Sequence, residues 1–192
     1  MNNIQITFDP LPKINITGDI LYSYFIELYE YRNNIKEHIM DFIMNTNYYS
    51  CFYREWYGDF QFDVFIWNEE NGLEKIFEHR FNDFNKNVLI NLETNKLNET
   101  LMWFNCALEY KNKHNCNLFI KSNFNDIFKN EYKEIHFISE INDDIYAIYN
   151  IGRYESDNRV YNKNRDCYSY KNPEDWHNIS ITDIANDILN LK

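Results

Sequence analysis

Three alanines, four glycines and three prolines are all that 192 residues contain of these types. The glycines stand alone at 18, 58, 72 and 152. They can build neither the Gly-x-Gly-x-x-Gly turn nor the phosphate loop, both of which need glycines at close, fixed spacing. The four cysteines, Cys51, Cys106, Cys116 and Cys167, include no Cys-x-x-Cys pair, which removes the usual redox and zinc signatures. His114 and Cys116 lie near Cys106 in the chain, but a structural zinc takes four ligands and only three are local, so no metal or cofactor is expected. Apolar runs fall short of the ~18 residues that a membrane span needs. The opening residues MNNIQITFDP lack a charged stretch followed by an apolar one, which predicts a cytoplasmic protein with reduced thiols.

Basic residues are also scarce. Nineteen Lys and Arg face thirty Asp and Glu, for a formal charge of −11 and a pI near 4.9. Nucleic-acid binding rests on Lys and Arg neutralising phosphates, so direct DNA or RNA binding is disfavoured. The same field attracts a basic partner and speeds its association. It also keeps an aromatic-rich chain soluble.

What the chain has in plenty is asparagine, isoleucine, lysine and tyrosine, the residues of AT-only codon starts. Sixteen tyrosines and fifteen phenylalanines bring aromatics to 18%, and hydrophobic residues reach 44% despite a mean hydropathy of −0.64. Disordered chains are poor in rings, so this one folds around an aromatic core in which tyrosine supplies both bulk and a hydroxyl.

Periodicity predicts a strand over 3–8, a breaker segment to Asp19, and a long amphipathic helix from Asp19 to about Asn45. That helix is carried by Leu21, Phe25, Leu28, Ile35, Ile39 and Phe42 and is divided near Asn33-Asn34. Alternation over 58–68 predicts a strand, the NEENG turn a hairpin, and 73–81 its partner. A strand at 87–92 leads to a second helix with Leu97, Leu101, Phe104 and Leu108 on its apolar stripe and Asn95 as N-cap. A strand at NLFIKS, a short helix over 124–130, and strands at EIHFISEI and DIYAIYNI follow. After a long irregular stretch from Gly152, a last helix runs from Ile181, capped by Ser180 with Asp183 three residues on. The expected fold is a single α+β domain over 1–192: a mixed or mostly antiparallel sheet packed by two main helices, then an irregular segment and a short C-terminal helix.

No catalytic constellation emerges. Glu109-Tyr110-Lys111 and Glu131-Tyr132-Lys133 imitate the Glu-x-Lys half of a nuclease metal site, without an evident upstream Asp. Two surfaces invite a partner. Glu69, Glu70, Glu74 and Glu78 gather around one predicted hairpin turn and, with Trp176 of NPEDWHN, make a candidate protein-binding face. Against the acidic background, 153–171 is locally basic and tyrosine-rich. Arg153, Arg159 and Arg165 could clamp a phosphate while Tyr161 or Tyr168 stacks on a nucleobase, although these arginines could equally neutralise acids of the sheet.

The function these features predict is a small acidic inhibitor, encoded by a phage or another mobile element. It would act in the host cytoplasm by blocking a basic nuclease or other nucleic-acid-handling protein, in the manner of an anti-defence or immunity protein. The alternative is a small enzyme or nucleotide binder that uses 153–170.

Overall fold

The computed structural model describes residues 2–9, 11–32, 34–51, 59–141, 144–152 and 180–191. The chain divides into two compact units, Met1–Asn82 and Asp83–Lys192.

The first unit is all strand among its described residues: β1 (Asn3–Asp9), β2 (Leu11–Thr17), β3 (Ser23–Arg32), β4 (Ile35–Asn45), β5 (Tyr48–Cys51), β6 (Asp59–Asn68) and β7 (Gly72–Arg80). β1, β2 and β5 pair antiparallel, and β4-β3-β6-β7 form a four-stranded antiparallel sheet. Alternate residues Tyr24, Ile26 and Leu28 of β3 and Phe60, Phe62 and Val64 of β6 are buried, together with Ile6 and Phe8 of β1 and Ile14 and Ile16 of β2. The rings of Phe8 and Phe60 stack at 6.5 Å, and Phe8 meets Phe81 edge-on at 4.9 Å, so aromatic contacts fill this interior.

The helix expected from Asp19 to Asn45 is therefore absent. Its residues form β3 and β4, and the breaker segment before it is β2. The three-and-four spacing of Leu21, Phe25 and Leu28 coexists with a period of two in Tyr24, Ile26 and Leu28. Tyr, Phe and Ile favour the strand, since ring and β-branched side chains fit a pleated surface better than a helical turn. The break read near Asn33-Asn34 is the hairpin turn. Asn34 takes φ 63° there, a left-handed conformation that asparagine tolerates and that reverses the chain. The hairpin of β6 and β7 is as expected, closed by Gly72 at φ 77°.

The second unit alternates: β8 (Asn87–Glu93), α1 (Leu97–His114), β9 (Asn117–Ser122), α2 (Asn125–Phe128), β10 (His136–Ile138), β11 (Ala147–Gly152) and α3 (Ile181–Ile188). Every strand pair within it is parallel, in the order β10-β9-β8-β11. β8 is buried from Val88 to Leu92, as a central strand covered on both faces must be. Of the predicted strand over 134–141, only His136–Ile138 pairs.

One of the two expected main helices is thus real, and its buried face differs from the predicted stripe. Thr100, Trp103, Phe104, Ala107 and Tyr110 are buried, whereas Leu97 and Leu101 are 40% and 43% exposed. Trp103 donates its indole N–H to the Ile181 carbonyl at 3.0 Å, tying α1 to the start of α3. The cap of α3 is as read: the Asp183 N–H donates to Ser180 Oγ at 3.0 Å, and the Ser180 hydroxyl donates to Asp183 Oδ2 at 2.7 Å. The cap of α1 is not, because position N-cap falls on Lys96, which makes no side-chain capping bond. Sheets with three helices among the described residues place the chain in the α+β class in the coarse sense, antiparallel in one unit and parallel in the other.

Candidate functional site at the carboxyl end of the parallel sheet

In the second unit the chain leaves β8 for β9 on one side and returns as β11 on the other, so the order of strands reverses beside β8. Open α/β sheets bind ligands at the carboxyl ends of the strands flanking such a reversal, where the diverging connections leave a crevice. On one face, the side chains at that end of β8 and β11 are polar. In register across the sheet stand Asn150 of β11, Asn91 of β8 and Lys121 of β9. The equivalent row nearer the amino ends is Ile148, Leu89 and Phe119. One face of the sheet is thus apolar at its base and polar at its mouth.

Asn91 is buried, and a buried polar residue inside an apolar strand demands a partner. Its amide donates to Glu93 Oε1 at 2.7 Å and to Asn150 Oδ1 at 3.1 Å. Both N–H bonds of that amide are used, and Glu93 is held as an acceptor at the end of the central strand. Such a set offers carboxylate and carboxamide oxygens to hydroxyl groups, and a carboxylate poised to take a proton from one of them.

The turn from β8 to α1 has the sequence Thr94-Asn95-Lys96 where dinucleotide-binding folds place glycines. Thr94 Oγ1 accepts the Lys96 N–H at 3.1 Å and donates to Glu99 Oε2 at 2.7 Å, while Asn123 donates to the Thr94 carbonyl at 3.2 Å and to Asn95 Oδ1 at 2.8 Å. Glu99, 5% exposed, lies in the first turn of an 18-residue helix, with Lys96 Nζ 3.6 Å from its carboxylate. The free N–H groups of a helix start favour negative charge, and here the protein supplies its own. A phosphate brought to this helix end would meet a carboxylate already in place.

A second polar cluster lies toward the amino ends of the strands. Asp83 accepts a hydrogen bond from the Tyr110 hydroxyl, Tyr149 lies 3.0 Å from that hydroxyl, and His114 Nδ1 is 3.0 Å from Asp83 Oδ2. Burial, then the nearby Tyr149 and Asp83, push the Tyr110 phenol well above its ordinary value. Burial and Asp83 push the Cys116 thiol up to about 12, and burial with Glu109 raises Cys106. Neither thiol is a thiolate at neutral pH, so the His114–Cys116 neighbourhood is a packed hydrogen-bond network and not a nucleophile. Among the described residues no three His, Cys, Asp or Glu side chains converge to hold a metal ion.

Of the residues singled out from sequence, Glu69 and Glu70 lie in the exposed turn between β6 and β7, and Glu74 and Glu78 on β7. A register shift between Val64 and Phe65 sets Glu74 opposite Ile66 and Glu78 opposite Asp63, on opposite faces of the sheet. Glu74 accepts from Asn68 and Glu78 from Lys75. Trp176, Arg153, Arg159, Arg165, Tyr161 and Tyr168 lie outside the described residues. Asn91, Glu93, Asn150 and Glu99 were not read from sequence. The available signal was Asn91 itself, the polar interruption in NVLINL.

No protein-family model matches the chain. Its fold resembles part of two solved structures, which superimpose on 98% of the chain, while the chain spans 45% of each of them. They are the iron-containing dodecameric glycosyltransferase TibC from enterotoxigenic E. coli H10407 (18% identity, TM-score 0.72) and the heptosyltransferase TibC in complex with ADP-D-beta-D-heptose (19%, 0.71). In sequence the chain is 30% identical over 101 residues to the inactive autotransporter heptosyltransferase BimC of Burkholderia thailandensis, a match covering 50% of this chain and 24% of that protein. These likenesses overturn the expectation of a phage-borne inhibitor, immunity or anti-defence protein. The acidic charge and missing motifs misled because net charge and the absence of a glycine-rich loop leave many kinds of site open on one fold.

Proposed function

We propose that this chain is a heptosyltransferase-like unit whose crevice at the ends of β8 and β11 binds a sugar through its hydroxyl groups. The observation that carries this reading is the buried Asn91, whose amide fixes the Glu93 carboxylate and Asn150 at the mouth of the parallel sheet. Hydroxyls of a heptose would donate to the oxygens of Glu93 and Asn150, and Glu93 would be the base that draws a proton from a reacting hydroxyl. Glu99 at the start of α1 disfavours phosphate there, so the sugar and not the diphosphate of a sugar nucleotide occupies this crevice. The likeness to TibC supports the class of chemistry; BimC is itself named inactive, so sugar binding and sugar transfer are separate steps of the proposal.

The test is a thermal-shift titration of the chain with a heptose, with ADP-heptose and with ADP alone. A ligand that prefers the native state raises the melting temperature as its concentration exceeds Kd. The expected result is a shift with the two sugar-bearing ligands that Glu93→Gln and Asn91→Ala abolish. A shift with ADP alone and none with the heptose would overturn the reading.

A further inference from the structure

The outward face of the four-stranded sheet carries a feature that sugar handling does not use. The residues opposite one another across its strands form a largely apolar row and an acidic one. Ile43, Phe25 and Phe65 stand in one row that ends on β7 at Lys75, with the Phe25 and Phe65 rings 6.0 Å apart, and Trp67 pairs with Leu73 beside them. Three of these are open to solvent: Ile43 is 73% exposed, Trp67 69% and Leu73 50%. Bulky apolar side chains left together on a surface mark an interaction site more often than chance exposure.

The next row along is entirely acidic: Asp41, Glu27, Asp63 and Glu78 lie side by side on β4, β3, β6 and β7. Like charges directly opposite in a sheet repel. Lys36 reaches Asp63 at 3.0 Å and Lys75 reaches both Asp63 and Glu78, at 3.6 and 2.6 Å. Asp63 is buried beneath the two lysines, and Asp41, Glu27 and Glu78 are the acids of the row that reach the surface. On the other side of Trp67 the hairpin turn adds the exposed Glu69 and Glu70. The apolar platform thus lies between a mid-strand row of acids and, on the β6–β7 side, an acidic turn.

The geometry points to this face as a docking surface for a cationic polypeptide segment that alternates basic and apolar side chains. An extended chain laid along the strands sets side chains of one face about 7 Å apart, the spacing of the rows beneath, so apolar groups meet the platform while lysines or arginines meet the acids. A second copy of this chain is the poorer occupant, since a protein of charge −11 would bring these same acids against its own. The sheet edges are less inviting than its face. The pairing of β4 and of β7 is each interrupted by a register shift, and both strands carry charged residues, devices that hinder strand addition.

The experiment titrates the whole chain with three short synthetic peptides: lysine alternating with leucine, glutamate with leucine, and lysine with serine. Only the lysine–leucine peptide is expected to bind, more weakly as salt rises, with at least a tenfold loss in Trp67→Ser and a several-fold loss in Glu69→Gln/Glu70→Gln. Leu73→Ser serves as the second platform variant should Trp67→Ser lower the melting temperature. Glu131→Gln/Glu134→Gln, in the other unit, is expected to bind as the parent does. Equal binding of the lysine–serine or the glutamate–leucine peptide, an undiminished affinity in both platform variants, or an equal loss in the Glu131/Glu134 control overturns the proposal. So does concentration-dependent self-association in sedimentation that Trp67→Ser removes, which would assign the face to a second copy. Heptose titration of Trp67→Ser keeps this outcome distinct from the fate of the crevice.

Discussion

The two units of the chain stabilise their sheets by different means. In the antiparallel unit one face of β6 is packed with Phe60, Phe62 and Val64 while the other carries Gln61 and Asp63, both buried under ion pairs and hydrogen bonds. Asp63, on the interior strand β6, accepts from Gln61 at 2.6 Å and draws in Lys36 and Lys75 from the two edge strands. In the parallel unit β8 is apolar on both faces through most of its length, and polarity is confined to the strand ends. A sheet that needs only one dry face can place a charged network over the other. A sheet covered on both faces can place polar groups only where strands stop, which is where ligands bind.

This contrast can be broken most directly in the parallel unit. Trp103→Ala removes a fully buried ring and its bond to the Ile181 carbonyl, and is expected to cost about 3–5 kcal/mol in urea denaturation. Leu101→Ala, four-tenths exposed on the same helix, is expected to stay within about 0.5 kcal/mol. Equal losses would mean that α1 packs through its leucine stripe after all.

Asp63→Ala leaves two lysines without their shared carboxylate in the antiparallel unit. Because both lysines remain a third or more exposed, water takes up part of the loss and about 1–3 kcal/mol is expected. A cost above that of Trp103→Ala would reverse the ranking of apolar over ionic support.

A similar magnitude, about 1–3 kcal/mol, is expected for Tyr110→Phe, which withdraws a hydroxyl from buried Asp83 and Tyr149. The same hydroxyl makes stability depend on alkaline pH. Tyr110 is raised well above its ordinary value by burial, and Tyr29 up to about 12 by its hydrogen bond to Glu27. Above about pH 10 the unfolded phenols lose protons that the folded ones keep, so stability falls as pH rises from there. Denaturant midpoints across pH 9–11 check the sign, and Tyr110→Phe is expected to flatten the slope.

Ser180→Ala, the smallest effect, is expected to cost about 1 kcal/mol through the start of α3. A loss confined to local hydrogen exchange near α3 would show that this helix melts on its own.

What could be read from sequence followed the same division. In the second unit β8, α1, β9, α2 and α3 were all legible, because an apolar run followed by a helical period and then another apolar run has few alternatives. In the first unit β3 and β4 were misread, since apolar side chains at positions 21, 25 and 28 satisfy a helical stripe while 24, 26 and 28 satisfy a strand. Only pairing with β6, remote in sequence, decides between them. The bulge at the β6–β7 pairing, which separates Glu74 from Glu78, leaves no local mark. The crevice was hidden for a different reason: Asn91 is one asparagine among many, and its meaning comes from Glu93 and Asn150 lying beside it only when β11 returns parallel to β8.

Five non-glycine residues adopt positive φ among the described residues, at 34, 47, 85, 115 and 190, and all five are asparagine. In a chain with four glycines, asparagine has taken over the sharp reversals of direction. That substitution carries a chemical clock. The asparagine side chain can attack the following backbone nitrogen, closing a ring that reopens to aspartate or isoaspartate, and it does so fastest where the next residue has no side chain to obstruct it. The chain's one such pair is Asn71-Gly72, exposed at the tip of the β6–β7 hairpin. Ageing of the purified protein therefore begins at that tip, one negative charge at a time, beside Trp67 and Glu70, and isoelectric focusing of stored samples would register it long before the fold changes.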